Sequence, residues 1–245
     1  MKRTTLFSAR VGLCLAAIGL AIITTSASAV QYTFEGETGG GMVMGIQTPN
    51  GDVNALVGQF IMTTSAPGWP SPLYTYCTDV GADLATTYNY TPLSLSSAAS
   101  VGGVAPTWIS GGIQNAAAIW YAYHGSAGAD VTGVQEAGLQ LAIWEALYNS
   151  RATYTSGSFF SSSNGGFYIT SSDSGNIALA ASDAAAWLNS LGSLPTAPNV
   201  QWLEPDNDCG SQGLLCQVPE ATSTLTLLSV ALTTLGIAGW KLRSK

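Results

Sequence analysis

Between Val30 and Gln217 the chain has no lysine, and Arg151 is its one arginine. The other six basic residues lie at the two ends, Lys2, Arg3 and Arg10 at the start and Lys241, Arg243 and Lys245 at the finish. Thirteen of the 14 acidic residues fall in the middle stretch, so it is far more acidic than the formal net charge of -7 for all 245 residues conveys. Such a region has no face that neutralises phosphates, which excludes nucleic-acid binding. Docking on an anionic membrane through a basic patch is excluded for the same reason. Histidine is almost as scarce. With His124 alone, a zinc site of the usual ligand sets has too few donors, so no metal and no cofactor is expected. The Asp206-Asn207-Asp208 cluster lacks the loop glycine and distal glutamate of a calcium loop and reads as solvated chain. Charged residues make up only 9% of the chain, yet seven tryptophans, ten tyrosines and six phenylalanines provide material for a core. A folded, acidic, Ser/Thr/Gly-rich domain is therefore expected.

Each end carries a charge-free apolar run. Residues 1–29 begin with basic residues, continue through an apolar stretch and close on Ala27-Ser28-Ala29, the layout of a signal peptide cut after Ala29. Thr222 to Trp240 is free of charge and long enough to span a bilayer, and the basic residues after it favour a cytoplasmic tail. Val218-Pro219-Glu220-Ala221 precedes it. A Pro-Glu signature, an apolar helix and a basic tail in that order resemble the PEP-CTERM sorting signal of bacterial envelope proteins. Ala221 stands where that signal has its second proline. The resemblance implies an exosortase-type processing partner, and a plain single-span anchor is the alternative. Either way the middle of the chain is expected to be exported, membrane-anchored before any C-terminal processing, and to work at the cell envelope, the cell surface or in an extracellular matrix.

The middle region reads as strands followed by helices. Tyr32–Phe34, Met42–Ile46, Val57–Met62 and Leu73–Thr78 have strand character, and Pro49-Asn50-Gly51-Asp52 is a turn that makes a hairpin of the second and third. Ser94 to Gly103 reads as a flexible connection. Helices are expected over Gln114–His124, over Val134–Asn149 behind a Thr132/Gln135 capping box, and over Ile177–Leu191 ending at Gly192. From Leu139 to Tyr148 only Gln140 and Glu145 are strongly polar, so the second of these should be buried on most sides. Pro195, Pro198 and Pro205 mark a linker. The fold class is thus α+β, an antiparallel β-sandwich or barrel lobe with a small helical lobe. The domains are residues 1–29 (signal peptide), 30–192 (ectodomain), 193–217 (linker) and 218–245 (sorting signal with a transmembrane helix).

Removal of the signal peptide takes Cys14 with it and leaves three cysteines. Cys209 and Cys216 flank a short glycine-containing loop in an oxidising setting, so a local disulfide is the simplest pairing. Cys77 is then odd, either a small buried apolar residue or a thiol in use. Tyr76-Cys77-Thr78-Asp79, followed by Leu139-Gln140-Leu141-Ala142-Ile143-Trp144, resembles the thioester domains of bacterial surface adhesins. Those carry an aromatic-Cys strand motif and an apolar-Gln helix motif in this order. The resemblance implies an internal thioester between the Cys77 sulfur and the Gln140 side-chain carbonyl, with Tyr76 and Trp144 shielding it from water. It implies single-use acyl transfer to an amine- or hydroxyl-bearing macromolecule on a partner surface, not turnover. A thiol attacks an amide at a useful rate only when a fold holds the two in contact.

Two other classes compete. Cys77, His124 and Asp130 stand in the order of a Cys-His thiol hydrolase or acyltransferase, whose geometry sequence alone does not display. A non-covalent structural protein of the envelope or biofilm matrix fits the sorting signal equally well. Asp79 and Glu145, beside the two key positions, are candidates for proton transfer or for simple capping.

Overall fold

The computed structural model describes residues 29–39, 41–48, 51–80, 82, 84, 86–101, 108–127, 133–161, 167–171, 175–206 and 211–217. Residues 1–28 of the expected signal peptide, Cys209, Thr132, Asp130, Pro219, Glu220 and the C-terminal apolar segment lie outside these residues. Among the described residues no helix is long and apolar enough to cross a membrane.

The chain begins with β1 (Val30–Glu37), β2 (Met42–Thr48), β3 (Gly51–Val57), β4 (Phe60–Thr63), β5 (Leu73–Cys77) and β6 (Thr87–Ser94). Helices α1 (Leu95–Val101), α2 (Gly112–Ala127) and α3 (Gly133–Tyr148) follow, then β7 (Tyr168–Ile169), α4 (Gly175–Asn189), β8 (Val200–Pro205) and β9 (Leu214–Gln217). Six strands close into a barrel in the order β1-β4-β5-β9-β8-β6, every described pairing antiparallel. Closure leaves this sheet no open edge. The second sheet, β3-β2-β7, holds the expected hairpin, its arms running from Met42 opposite Val57 to Thr48 opposite Gly51. Its second arm is Gly51–Val57; the expected strand Val57–Met62 is divided, its later part entering the barrel as β4.

The barrel form of the expected α+β architecture is therefore what the chain adopts, with two corrections. Ser94–Val101 is not a flexible connection: it ends β6 and forms α1, and the Ser94 hydroxyl accepts the Ser97 N–H at 3.2 Å as an N-cap. Residues 193–217 are not a linker. They supply β8 and β9, which close the barrel between β6 and β5. Pro205 stands at the end of β8, where it interrupts no ladder of central strands.

Helix α3 is the centre of the helical layer, with α2 and α4 packed on it. Its residues 136 to 148 are all buried, as an almost uniformly apolar run requires. At Gly138 an added Cβ would stand 2.9 Å from the Ala180 carbonyl oxygen, so α3 and α4 meet at backbone distance. Ala180, Ala181, Ala184 and Ala185 make the matching small surface on α4. Glu145, buried in α3, is held by Arg151 at 2.6 Å and by Asn149 at 2.7 Å. That arrangement gives the one basic residue of the middle stretch a structural task. Removal of either charge leaves the other buried without its counter-ion.

Candidate functional site

Cys77 ends β5 and Gln140 sits in the middle of α3, and the fold brings them together. The Cys77 N–H donates to Gln140 Oε1 at 2.9 Å, and Gln140 Nε2 donates to the Cys77 carbonyl at 2.7 Å. Both ends of the Gln140 amide are therefore engaged by the backbone of Cys77. With zero exposure, Gln140 has no water to bond instead. This is a positioning contact that fixes the end of β5 against the central helix.

The sulfur meets a different glutamine. Cys77 Sγ donates to Gln212 Oε1 in a contact shorter than an ordinary hydrogen bond, and also reaches the Asp79 carbonyl at 3.2 Å. Gln212 belongs to the stretch expected to be linker, and its amide carbon is one bond from the oxygen the sulfur touches. Its segment is pinned on each side. Ser211 Oγ lies 2.8 Å from the Tyr90 hydroxyl, the Gly213 N–H donates to Asp79 Oδ2 at 2.6 Å, and the Thr78 N–H donates to the Gly213 carbonyl at 2.8 Å. Position 213 has no room for a side chain, because a Cβ there would stand 2.3 Å from Trp202 Nε1 and 2.7 Å from Thr78 Oγ1. The one sequence sign of this role is a glutamine followed by glycine and the apolar pair Leu214-Leu215, a tight approach leading into a strand.

Strand alternation sorts the expected shields. Cys77 shares a face of β5 with Leu73 and Thr75, and Tyr76 points from the other face with Tyr74. Tyr76 is fully buried near Gln59 and Glu136, so it backs the strand and does not cover the sulfur. Trp144 does stand at the site. It lines a cavity of about 270 Å³ together with Asp79, Gln212, Phe34, Phe60 and β3 residues including Leu56. Its buried indole N–H lacks a well-formed acceptor.

Burial opposes charge at the site. Burial first, and the neighbouring Asp79 second, push the Cys77 thiol well above its usual range, against weaker pulls from the Asp79 backbone and the Trp144 indole. Burial likewise raises Asp79 to about 6, against weaker pulls from the Gly213 N–H and from the Thr78 and Tyr148 side chains. Thiolates are poor leaving groups when their pKa is high, so an acyl group placed on this sulfur would be stored.

The remaining expectations resolve differently. Cys216 is a free, buried thiol in β9, so the expected disulfide with Cys209 is not formed in this structure. Its burial inside the barrel near Tyr32 is that of a small core residue. His124 is occupied elsewhere. Its Nδ1 lies 3.0 Å from Gln59 Nε2, and its ring stacks on Trp120 at 4.1 Å. Because the amide donates, Nδ1 is an acceptor and the ring is neutral. Glu145 is committed to Arg151 and Asn149, as described. Among the described residues no three His, Cys, Asp or Glu side chains gather as a metal site.

No protein-family model and no curated protein matches the sequence. Two solved structures from Streptococcus pyogenes are similar to the chain. One is the N-terminal domain of the pilus tip adhesin Cpa, at 18% identity over 66% of this chain and 85% of that one, with a TM-score of 0.46. The other is the N-terminal thioester domain of fibronectin-binding protein SfbI, at 15% identity over 66% and 86%, with a TM-score of 0.43. At these values neither likeness bears on the chemistry, which rests on the contacts of this chain.

The buried histidine has a measurable consequence. Burial lowers His124 to about 4, so the unfolded chain takes up its proton first as pH falls, and stability is lost between about 6.5 and 4. Asp79 acts in the opposite sense. Its raised value means the folded chain holds the proton more tightly, and stability is gained as pH falls through 6 towards 3.8. The two largely offset one another. His124→Gln, which keeps a polar partner for Gln59, is expected to gain urea resistance from pH 7 to pH 5 relative to the parent. An equal pH response in both would refute the assignment.

Proposed function

We propose that this chain is an exported surface protein that stores an acyl group as an internal thioester between Cys77 and Gln212 and spends it once, on a nucleophile of a partner surface. The observation that carries the reading is the contact of the Cys77 sulfur with the Gln212 side-chain amide inside a buried, closely pinned site. Formation joins Cys77 Sγ to Gln212 Cδ, and the amide nitrogen leaves as ammonia with the thiol proton. Orientation replaces the high reactant concentration that a thiol and an amide would otherwise need. Gln140 contributes by holding the Cys77 backbone, not by giving its own acyl carbon.

The dry site favours the neutral thioester over a buried thiolate, and its Trp144-lined cavity is the route by which an amine or hydroxyl arrives. The expected partner is a macromolecule bearing such groups. An absence of lysine from Val30 to Gln217 spares the store from the chain's own amines. Residues 1–29 and 218–245 carry the expectations of export, membrane anchoring and exosortase-type processing.

Intact mass tests the reading. The isolated chain should weigh one ammonia less than its sequence, and methylamine should convert that loss into an adduct. Cys77→Ala should show neither. A parent chain of full sequence mass with a titratable Cys77 thiol would refute it.

A further inference from the structure

Asp79 lies two residues beyond Cys77 in chain order, and its two carboxylate oxygens have different surroundings. Oδ2 accepts the Gly213 N–H at 2.6 Å, which ties it to the residue after Gln212. On a residue only 7% exposed, Oδ1 is buried and makes no well-formed hydrogen bond, although the Thr78 and Tyr148 hydroxyls lie close to the carboxylate. Buried carboxylate oxygens are costly to leave open, and an exception asks for a role. Among the described residues lining the cavity shared with Gln212 and Trp144, Asp79 is also the one that ionises; the rest of the lining is apolar apart from Asn54 and Gln212.

The titratable groups facing Asp79 come from three elements: Cys77 at the end of β5, Tyr90 on β6 and Tyr148 on α3. Burial holds the proton of each well above neutral pH. Within this cluster only Asp79 changes charge between about pH 5 and 8.

We propose that Asp79, through its open Oδ1, takes the proton of the nucleophile that opens the Cys77 to Gln212 thioester and returns it to the departing sulfur. The proposal rests on the thioester reading. A neutral amine in the cavity attacks Gln212 Cδ and forms the N–C bond, and its proton moves to Oδ1. The Cδ–Sγ bond then breaks, and sulfur keeps the electron pair and receives the proton from Asp79. The products are a substituted Gln212 amide and the Cys77 thiol, with Asp79 a carboxylate again. An alcohol follows the same steps to an ester. The sulfur needs that proton because its site disfavours a thiolate, so a donor at the moment of departure removes the main barrier.

The test uses the chain with its thioester formed and methoxyamine, a weak base largely unprotonated across the range, with intact mass read over time from pH 5 to 8 and the rate taken per free amine. The parent rate is expected to rise with pH, half-maximal near 6, to a plateau. Asp79→Asn keeps an oxygen for the Gly213 N–H but takes no proton, and it should react at least about 100-fold more slowly, without the inflection. A variant within about threefold of the parent and with the same profile overturns the proposal. So does a parent rate that is flat in pH, which decides the matter even if Asp79→Asn fails to fold or to form the bond. A parent chain that never loses ammonia removes the thioester reading itself, a different result from either.

Discussion

Gln212→Ala is expected to yield a chain that folds, keeps a free Cys77 thiol and captures no methylamine. The reason is atomic. The sulfur is in contact with Oε1 of Gln212, and the acyl carbon is bonded to that oxygen. Alanine removes this carbon while leaving the Gly213 anchors to Asp79 and Thr78 in place. Because intramolecular placement is worth an effective concentration of about 10⁵ M or more, no other amide of the chain substitutes at a detectable rate. Mass spectrometry after methylamine treatment, with thiol titration on the same sample, reads both halves. A Gln212→Ala chain that still sheds ammonia would place the acyl donor elsewhere.

Gln140→Ala is expected to do something different, destabilising the domain strongly while leaving the acyl donor present. The buried N–H and carbonyl of Cys77 are both satisfied by the Gln140 amide, and truncation strands both. Each unsatisfied buried group costs about 1–3 kcal/mol, so a loss of about 3 kcal/mol is expected after the site relaxes. The comparison belongs in the Cys77→Ala background, which keeps the backbone groups and removes the covalent bond from the energetics. Urea unfolding gives the difference. With Cys77 intact, the same substitution should slow ammonia loss by releasing the end of β5 without abolishing it. A stable Gln140→Ala chain that never forms the thioester would reverse the roles of the two glutamines.

Half of the site is legible in the sequence and half is not, for physical reasons. Cys77 stands out as the cysteine left over in a chain read as exported, once Cys209 and Cys216 are read as a pair, and Gln140 because it interrupts an apolar run that only a buried helix explains. Burial then fixes the rest, since a side-chain amide in the centre of α3 must find partners and finds the backbone of β5. Gln212 leaves a weaker mark. Its surroundings, with Pro195, Pro198, Pro205 and an Asp/Asn cluster, have the composition of a linker. Their structure comes from pairings between distant residues, with Cys77 opposite Leu214 and Leu93 opposite Trp202. Such register is set by partners far away in the chain and not by a local period. The four residues of β9 are too few to display alternation, and three of them are buried. Helix α1 is a milder case, because its capping serine is visible but its Ser/Ala composition also suits a loop. Cys216 shows the converse error. A short spacing to Cys209 invites a disulfide, and burial within a barrel strand gives it a different place.

The central claim is that the stored acyl carbon belongs to Gln212. The most direct measurement is peptide mapping of the methylamine adduct in the parent chain. Methylamide on the peptide carrying Gln212, with an unmodified Gln140 and a newly titratable Cys77, is the result expected from the geometry of the site. Methylamide on Gln140, or no adduct on either glutamine, would contradict it.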